Sequence, residues 1–370
     1  MKKKIIIFTS SGGSGHSSAT KAIKSHLKDA YHIKEVFIFT QVFNMNLGPL
    51  CGEKIYNSFL HYHALLNFIY VLGTFYSKVK RKAMIKKAVA YLQKEKPDLI
   101  ISVIPIVNDI LLSAAQTLQI PFLLIPTDLD VSTFVQGIYK PKYDRFILLL
   151  GMNDPLIKEK AISAVIDSKK IEVAGLPVRS DFFEEKNRTD IKKEYNIPTD
   201  KPVIMVMMGG LVHANIYSFA HELAQLPISA HLIFCVGNSK KAYEKVNSIV
   251  FNPNLTTTII TYTERISDLF AIADLLITKS GSASFYEGVL MNIPMILDAT
   301  TTILYWERLN HRMLENYKWG ISLKNIKKLN ESVLQMIEPA NHRAITDRIR
   351  EYPKHRLDKE IRQIVKRLIE

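Results

Sequence analysis

A short apolar run near the start of the chain is followed at once by a glycine-rich loop and a helix-forming segment. Residues 5–8 read Ile-Ile-Ile-Phe, a continuous run typical of a strand that is buried on both faces. Gly12, Gly13 and Gly15 interrupt this run with a tight loop, and helically spaced apolar residues continue to Leu27. This order predicts the first strand, loop and helix of a parallel α/β sheet.

A histidine stands at the end of this loop. His16 precedes Ser17 and Ser18, whose hydroxyls favour the N-cap position of the following helix. The loop has neither the spaced glycines of a dinucleotide site nor the Lys-Ser/Thr ending of a P-loop. Open parallel sheets bind ligands at the carboxyl ends of their strands, where an imidazole accepts a proton near neutral pH. We expect His16 to act as a base, although a polar residue that merely starts a helix gives the same local pattern.

Apolar runs alternate with helix-forming segments along the rest of the chain. The Gly-Leu-Pro-Val sequence at residues 175–178 interrupts the series, and a later apolar run ends in Gly209 and Gly210, as the first run ended in glycines. We predict an α/β fold with two parallel-sheet domains. The expected boundaries are residues 1–178 and 179–345, followed by a C-terminal helix at 346–370 that returns to the first domain.

The charge balance narrows the range of partners. The 370 residues include 49 Lys and Arg against 35 Asp and Glu, a net charge of +14 that indicates phosphates, nucleic acid or an anionic membrane. No recognition-helix or RNA-binding aromatic motif accompanies this charge, so we expect no nucleic-acid partner. Cys51 and Cys235 are too few and too far apart for a disulfide framework or a zinc site. The first apolar run is too short for a signal peptide, which favours a cytoplasmic protein.

Residues 55–76 are rich in aromatic and aliphatic side chains, and six Lys and Arg residues follow between positions 78 and 87. Asparagines, histidines and a glycine make the first stretch a poor transmembrane helix. Apolar surface beside clustered basic residues is typical of a peripheral membrane contact, whereas core packing beside a solvated helix is the alternative interpretation. The residues that we expect to contact an anionic membrane surface are Phe68, Tyr70, Lys80, Arg81 and Lys82.

A second turn of small residues follows the apolar run at residues 275–278. Lys279, Gly281 and Ser282 lead into a helix that carries Glu287. Small residues there allow backbone N–H groups to approach a diphosphate, and a carboxylate about one turn later is suited to ribose hydroxyls. This pattern predicts a nucleotide site.

Residues 274–297, which contain this turn, resemble the nucleotide-binding stretch of glycosyltransferase family twenty-eight. The chain is most similar to the branch of monogalactosyldiacylglycerol synthases and processive diacylglycerol glucosyltransferases, and more distantly to the peptidoglycan lipid-linked N-acetylglucosaminyl transferase. Motifs at residues 13–16, 55–76, 127–128 and 175–178 occur in the same order as in that branch. The resemblance implies the GT-B architecture: two Rossmann-like domains that face a cleft, with the donor on the C-terminal domain and the acceptor on the N-terminal one.

The resemblance also implies roles for individual residues. Gly281 and Ser282 would contact the diphosphate, Glu287 the ribose, and His16 would be the base. Glu307 and Asn310 match the Glu-x-x-Asn pattern of the branch, in which the glutamate contacts donor-sugar hydroxyls and the asparagine lies near the phosphates. The alternative interpretation of this pair is a capped, solvated helix start. The implied nucleotide-sugar set is Gly209, Gly210, Lys279, Gly281, Ser282, Glu287, Glu307 and Asn310, and the implied acceptor loop contains Gly13, Gly15 and Asp128.

The chain departs from the branch at three places. Trp306 replaces the glutamine that precedes the glutamate in most members, which leaves the donor sugar open. Residues 129–134 lack the usual His and Trp of the acceptor side. Ser11 stands where plant members carry Asp, so Asp128 or Asp130 would have to orient His16.

Together these features predict an inverting transfer of a hexose from a UDP-sugar to a diacylglycerol-type lipid hydroxyl. The reaction is expected at the cytoplasmic face of a membrane, with a membrane lipid acceptor, no cofactor and no obligatory protein partner. No Asp-x-Asp motif is evident in the nucleotide-binding stretch at residues 274–297, so no catalytic metal is expected. The alternatives are a UDP-N-acetylglucosamine transferase with a polyprenyl-linked acceptor, a sugar-nucleotide epimerase and a non-catalytic membrane-associated relative.

Overall fold

The computed structural model describes residues 2–10, 14–44, 63–139, 141–164, 167–209 and 215–370. The chain forms two compact units, which are described separately here. The first unit comprises Met1–Ser180, Leu304–Trp306 and Lys354–Glu370, and the second comprises Asp181–Ile303 and Glu307–Pro353. The main division therefore lies two residues after the boundary expected from the sequence.

The described residues alternate between strands and helices in chain order. The strands are β1 Lys4–Thr9, β2 His32–Phe37, β3 Leu99–Ser102, β4 Phe122–Leu124, β5 Phe146–Leu150, β6 Ile171–Val173, β7 Val203–Met207, β8 Ala230–Gly237, β9 Leu255–Thr261, β10 Leu275–Lys279, β11 Met295–Asp298 and β12 Gly320–Leu323. The helices are α1 Ser14–Leu27, α2 Ile38–Gln41, α3 His63–Val79, α4 Arg81–Glu95, α5 Asn108–Leu118, α6 Ser132–Val135, α7 Pro155–Ser163, α8 Arg188–Glu194, α9 Ile216–Leu223, α10 Lys240–Asn247, α11 Ile266–Ile272, α12 Ser282–Leu290, α13 Arg308–Asn316, α14 Leu329–Ile337, α15 Pro339–Glu351 and α16 Leu357–Ile369. Short 3₁₀ turns cover Ser168–Lys170, Ser180–Phe183, Tyr305–Glu307 and Ile326–Lys328.

The first unit contains a six-stranded sheet in the order β2-β1-β3-β4-β5-β6, with all neighbouring strands parallel. Phe8 of β1 lies opposite Val36 of β2 and Ser102 of β3. From β1 the chain builds β2 on one side and then crosses to β3 on the other. The strand order therefore reverses between β1 and β3, and ligands of open parallel sheets bind at such a reversal point.

Helices α1 and α16 pack on this sheet through a shared apolar cluster. Ile5 of β1, Ile23 of α1 and Ile361 of α16 all belong to it and are fully buried. The apolar residues of α16 recur at helical spacing, which gives the helix one face for burial. The sequence predicted one returning helix over 346–370, but α15 ends at Glu351 and α16 begins after Pro353, because proline cannot continue a helix. Only α16 returns to the first unit.

The second unit contains a second six-stranded parallel sheet, in the order β12-β11-β10-β7-β8-β9. The chain builds β8 and β9 on one side of β7 and then crosses to β10 on its other side. This sheet therefore reverses between β7 and β10. The predicted α/β class with two parallel sheets is confirmed.

Candidate functional site

The carboxyl ends of β7 and β10 bring together residues predicted to bind a nucleotide sugar. Gly209 follows β7 with φ +82°, a conformation that favours glycine. A Cβ placed on Gly209 would lie 2.7 Å from Cε of Lys279, and one placed on Gly281 would lie 3.3 Å from the same atom. The Lys279 side chain therefore runs past both glycines, and Gly209 leaves room for it.

A buried hydrogen-bond network holds the turn between β10 and α12. Asn310 Nδ2 donates to the backbone oxygen of Ser280 at 2.6 Å and to Ser282 Oγ at 3.1 Å. Ser280 Oγ donates to Glu307 Oε2 at 2.9 Å. Asn310 is fully buried and Glu307 is 6% exposed. The Glu-x-x-Asn pair therefore shapes the turn itself and does not form a solvated helix start.

The second oxygen of this glutamate faces the same turn. Glu307 Oε1 lies 3.8 Å from the position that a Cβ on Gly281 would occupy. Gly281 is the N-cap residue of α12 and, as a glycine, has no side chain with which to cap the helix. The backbone N–H groups and the dipole at a helix start, together with the Lys279 ammonium, favour a bound anion. Glu287 lies further along α12 and is partly exposed, and Gly210 lies outside the described residues.

His16 lies at the reversal point of the first sheet. Its Nδ1 is 2.9 Å from the backbone oxygen of Val103, directly after β3, and 3.2 Å from Thr127 Oγ1, after β4. A carbonyl only accepts, so it selects the tautomer with a proton on Nδ1 and a lone pair on Nε2. The hydroxyl of buried Thr20 bonds to both the backbone oxygen of His16 and Thr9 Oγ1, which ties the start of α1 to the end of β1.

Three expectations about this loop differ from the structure. Helix α1 begins at Ser14, so His16 lies in its first turn and the serines after it are not caps. Gly15 is helical, and a Cβ there would meet nothing within 4 Å, so no close approach requires this glycine. Asp130 does not orient His16, because its oxygens bond to Ser132 and to Lys160 at 2.9 Å. Asp128 is partly exposed beside Thr127, and Gly13 lies outside the described residues.

A buried asparagine that the sequence analysis missed supports the residues around His16. Asn108 is fully buried, and its Oδ1 accepts a hydrogen bond from Ser102 Oγ at 2.7 Å. Its Nδ2 donates to the backbone oxygens of Ile104 and Phe134 at 2.7 and 2.9 Å. This network fixes the loop that carries Val103, whose backbone oxygen is the hydrogen-bond partner of His16 Nδ1. Its sequence signal is a polar pair, Ser102 and Asn108, inside an apolar stretch.

A second missed group lies at the carboxyl end of β11. Asp298 Oδ1 accepts from the backbone N and the hydroxyl of Thr300, and its Oδ2 accepts from Asn215 Nδ2 at 3.1 Å. His311, on α13, bonds through Nδ1 to Ser322 Oγ at 2.6 Å. Burial lowers the pKa of His311 to about 4, although the Asp298 charge partly opposes this shift. The histidine is therefore neutral at physiological pH.

Helix α3 presents an apolar face to solvent. Phe68, Val71, Phe75 and Val79 are 57%, 60%, 67% and 62% exposed, and their spacing of three and four residues places them on one side of the helix. Lys78, Lys80 and Lys82 are exposed at the end of this helix and the start of α4. In the part of the chain that the structure describes, no helix has the length and apolar content to span a bilayer.

Two of the predicted membrane residues do not belong to this face. Tyr70 donates through its hydroxyl to Gln136 Oε1 at 2.8 Å, its ring centroid is 5.6 Å from that of Trp306 in the same unit, and burial raises its pKa to about 12. Arg81 is paired through Nε with Asp109 at 2.8 Å and donates through Nη2 to Ser113. Helical spacing turns Tyr70 away from the exposed stripe of α3, and Arg81, the first residue of α4, is held by its contacts with α5.

Two family models match the chain. The monogalactosyldiacylglycerol (MGDG) synthase model matches residues 16–178, and the lipid-A-disaccharide synthetase model matches residues 169–364, more than half of the chain. A processive diacylglycerol beta-glucosyltransferase of Staphylococcus haemolyticus is 26% identical over 302 residues, which cover 80% of this chain and 75% of that protein. The first match begins at His16, and the second includes the turn between β10 and α12.

Solved structures share the fold at low sequence identity. MurG of Acinetobacter baumannii superposes with a TM-score of 0.63 and 13% identity over 99% of this chain and all of that one. A putative UDP-N-acetylglucosamine 2-epimerase of Listeria monocytogenes superposes with a TM-score of 0.60 and 12% identity, over 99% and 96% of the two chains. The glycosyltransferase SnogD from Streptomyces nogalater superposes with a TM-score of 0.61 and 12% identity over all of both chains. Since a glycosyltransferase and a putative epimerase share this fold, the fold alone does not select the reaction.

Proposed function

Because this chain belongs to glycosyltransferase family twenty-eight, we propose that it transfers a hexose from a UDP-sugar to a diacylglycerol-type lipid. Within that family it belongs to the branch of monogalactosyldiacylglycerol synthases and processive diacylglycerol glucosyltransferases. Residues 169–364 belong equally to the family of the lipid-A-disaccharide synthetase model. The chain is a glycosyltransferase with two parallel sheets. The observation that carries the proposal is the presence of candidate site residues at the reversal point of each sheet. His16 lies at one and Lys279 at the other.

We propose that the second unit holds the donor. The Lys279 ammonium and the N-terminus of α12 are suited to the diphosphate, and they would stabilise the charge that develops on it as the sugar leaves. The Glu287 carboxylate is proposed to accept hydrogen bonds from the ribose. Glu307 keeps one oxygen toward the Gly281 turn, which supports a contact with a donor hydroxyl. These groups supply the charge stabilisation, and the proposed reaction is independent of a metal.

We propose that His16 is the base of the reaction. Its Nδ1 is held by Val103, which leaves the Nε2 lone pair to take the proton from the acceptor hydroxyl. The hydroxyl oxygen then bonds to the anomeric carbon as the bond from that carbon to the diphosphate breaks, and the electron pair leaves with the diphosphate. Attack from the face opposite the leaving group inverts the anomeric configuration.

The exposed face of α3 supports the proposed lipid acceptor. Phe68 and Phe75 offer apolar area for the headgroup boundary, and the lysines near Lys80 offer positive charge for anionic lipid. We propose that the enzyme binds peripherally to a membrane and reaches a hydroxyl at the bilayer surface.

One experiment tests donor, acceptor and reaction together. The purified full chain is incubated with UDP-glucose, UDP-galactose or UDP-N-acetylglucosamine and with vesicles that contain diacylglycerol, and the products are identified by mass spectrometry and their anomeric configuration by NMR. The proposal predicts a hexosyl-diacylglycerol of inverted configuration with one or both hexose donors. An epimerised nucleotide sugar without glycolipid, or a product that requires N-acetylglucosamine and a polyprenyl-linked acceptor, would contradict it.

Glu287→Ala separates the proposed donor site from the base. Loss of a charge-assisted hydrogen bond should weaken UDP binding by about 1–3 kcal/mol, measured by calorimetry. Unchanged UDP affinity would remove Glu287 from the nucleotide site.

A further inference from the structure

A hollow of about 530 Å³ lies at the amino edge of the first sheet, between the end of α1 and the start of β2. Lys2 precedes β1, whereas His16 lies beyond the carboxyl end of that strand. A strand of six residues is about 20 Å long, so this hollow is separate from the candidate base. The polar residues that line it include Lys2, Lys21, Lys24, Lys28, Tyr31 and His32.

The charge in this hollow is poorly neutralised by the protein. Lys21 and Lys24 are three residues apart on one face of α1, and Lys28 directly follows the end of this helix. Lys24 is paired with Glu35 at 3.1 Å. Among the described residues, no carboxylate lies within ion-pair distance of Lys2, Lys21 or Lys28. Three ammonium groups thus share one concave surface without an ion-pair partner, while Glu35 at Lys24 and the Glu370 charge near Tyr31 offset part of the total positive charge.

The helix end offsets only a small part of this charge. The C-terminus of a helix carries roughly half a negative elementary charge, which favours nearby lysines. The three ammonium groups without an ion-pair partner exceed that partial charge about sixfold. The dipole therefore offsets less than one of these charges, and the remainder would attract an external anion.

We propose that this hollow is a binding site for a ligand with a phosphate group that carries at least two negative charges. Lysine ammonium groups bind phosphate as point charges, and several of them around one cavity match a phosphomonoester or diphosphate better than a single carboxylate. The volume lies within the range of small-molecule sites. Tyr31 and His32 add groups that donate hydrogen bonds to phosphate oxygens, and Ile33 provides an apolar wall.

Calorimetric titration with pyrophosphate tests this site. The full chain is titrated in phosphate-free buffer of low ionic strength and without UDP, since the diphosphate of UDP belongs to the class of ligand proposed for the hollow. The isotherms are fitted with separate sites, so that binding at the proposed nucleotide site is counted apart. The double variant Lys21→Gln/Lys28→Gln should bind pyrophosphate at least about tenfold more weakly than the wild type, because two charges that face a multiply charged anion are lost. Binding to the wild type should also weaken as salt rises.

A matched variant controls for total charge. Lys240→Gln/Lys241→Gln removes the same charge from an exposed helix in the second unit and should leave pyrophosphate affinity unchanged. Equal thermal unfolding midpoints of both double variants and the wild type show that each is folded. If Lys21→Gln/Lys28→Gln binds pyrophosphate as tightly as the wild type, or if the wild type does not bind it at low salt, the lysines are a solvated helix face and the proposal is wrong. The comparison of pyrophosphate affinity between these variants does not depend on whether a UDP-sugar is the donor.

A second probe identifies the source of the phosphate. Short-chain phosphatidic acid below its micellar concentration carries the same phosphomonoester on a lipid. Tighter binding than pyrophosphate, with the same sensitivity to Lys21→Gln/Lys28→Gln, would assign the site to a lipid headgroup, whereas tighter binding of pyrophosphate would assign it to a free phosphate compound. Sensitivity of neither probe to the two lysines would overturn the site.

Discussion

Replacement of Phe75 by serine should strongly weaken membrane binding without affecting the fold. The side chain is 67% exposed on the apolar face of α3. A phenylalanine offers about 150–250 Å² of surface, so roughly 100–160 Å² of Phe75 is free to enter the headgroup boundary. At about 25 cal/mol per Å² this area contributes about 2–4 kcal/mol to vesicle binding. Phe75→Ser should therefore lower the partition coefficient at least about 30-fold.

The assay is sedimentation with vesicles that contain anionic lipid, over a range of salt concentrations. The contribution of Phe75 should persist at high salt, because it is hydrophobic. Replacement of Lys78, Lys80, Lys82 and Lys86 by glutamine should instead remove the salt-sensitive part of the affinity, at about 1 kcal/mol per lysine. Arg81 is left in place because it is paired with Asp109 within the unit.

A matched control replaces an exposed aromatic residue elsewhere. Tyr262 is 61% exposed in the second unit, and Tyr262→Ser should leave vesicle binding unchanged. Turnover of Phe75→Ser on a soluble short-chain diacylglycerol should be kept, since the variant changes access to the bilayer and not the reaction. Wild-type vesicle affinity of Phe75→Ser would refute the assignment of this face to the membrane.

The remaining predictions concern the two candidate sites and the stability of the second unit. His16→Ala should reduce turnover by roughly 10²–10⁴-fold in a steady-state assay while UDP affinity measured by calorimetry stays nearly constant, and near-normal turnover would exclude His16 as the base. Asn310→Ala removes the donor to the buried Ser280 carbonyl oxygen and should cost about 2–3 kcal/mol of unfolding free energy, a fall in melting temperature of about 4–12 °C by calorimetry. Burial lowers the pKa of both His311 and His231 to about 4, so the stability that comes from keeping them neutral is fully present above about pH 6.5 and is lost as pH falls toward 4. Denaturant unfolding at pH 7 and pH 5 should show this loss at up to about 1.4 kcal/mol per pH unit for each histidine, and His311→Gln should reduce the slope.

The sequence predicts those parts of the fold in which local pattern and tertiary environment agree. Phe146–Leu150 is apolar at every position, and it is a strand buried on both faces, as a central position in a parallel sheet requires. The start of α1 could not be predicted from the local sequence pattern. Serine and glycine occur both in loops and in first helical turns, so they do not locate the start of the helix, which lies at Ser14.

The side of a helix on which a residue lies is also not a local property. Tyr70 and Phe68 stand two residues apart in the same aromatic stretch, yet one is bonded to Gln136 and the other is exposed. Two positions correspond to about 200° of rotation on a helix, so neighbours of similar composition take opposite sides. Composition therefore predicts a membrane-binding face in this stretch. The packing of the first unit decides which of its side chains are exposed.

The Glu-x-x-Asn pattern supports activity less strongly than His16 does. Glu307 and Asn310 are buried and bonded to Ser280 and Ser282, so selection for the shape of the turn alone would keep both residues. A relative without activity could retain them for that reason. His16 is different, because it is partly exposed and its Nδ1 bond to Val103 contributes orientation that a surface histidine does not need. The presence of an oriented, partly exposed imidazole at the reversal point of the first sheet is therefore the stronger argument for the proposed transfer.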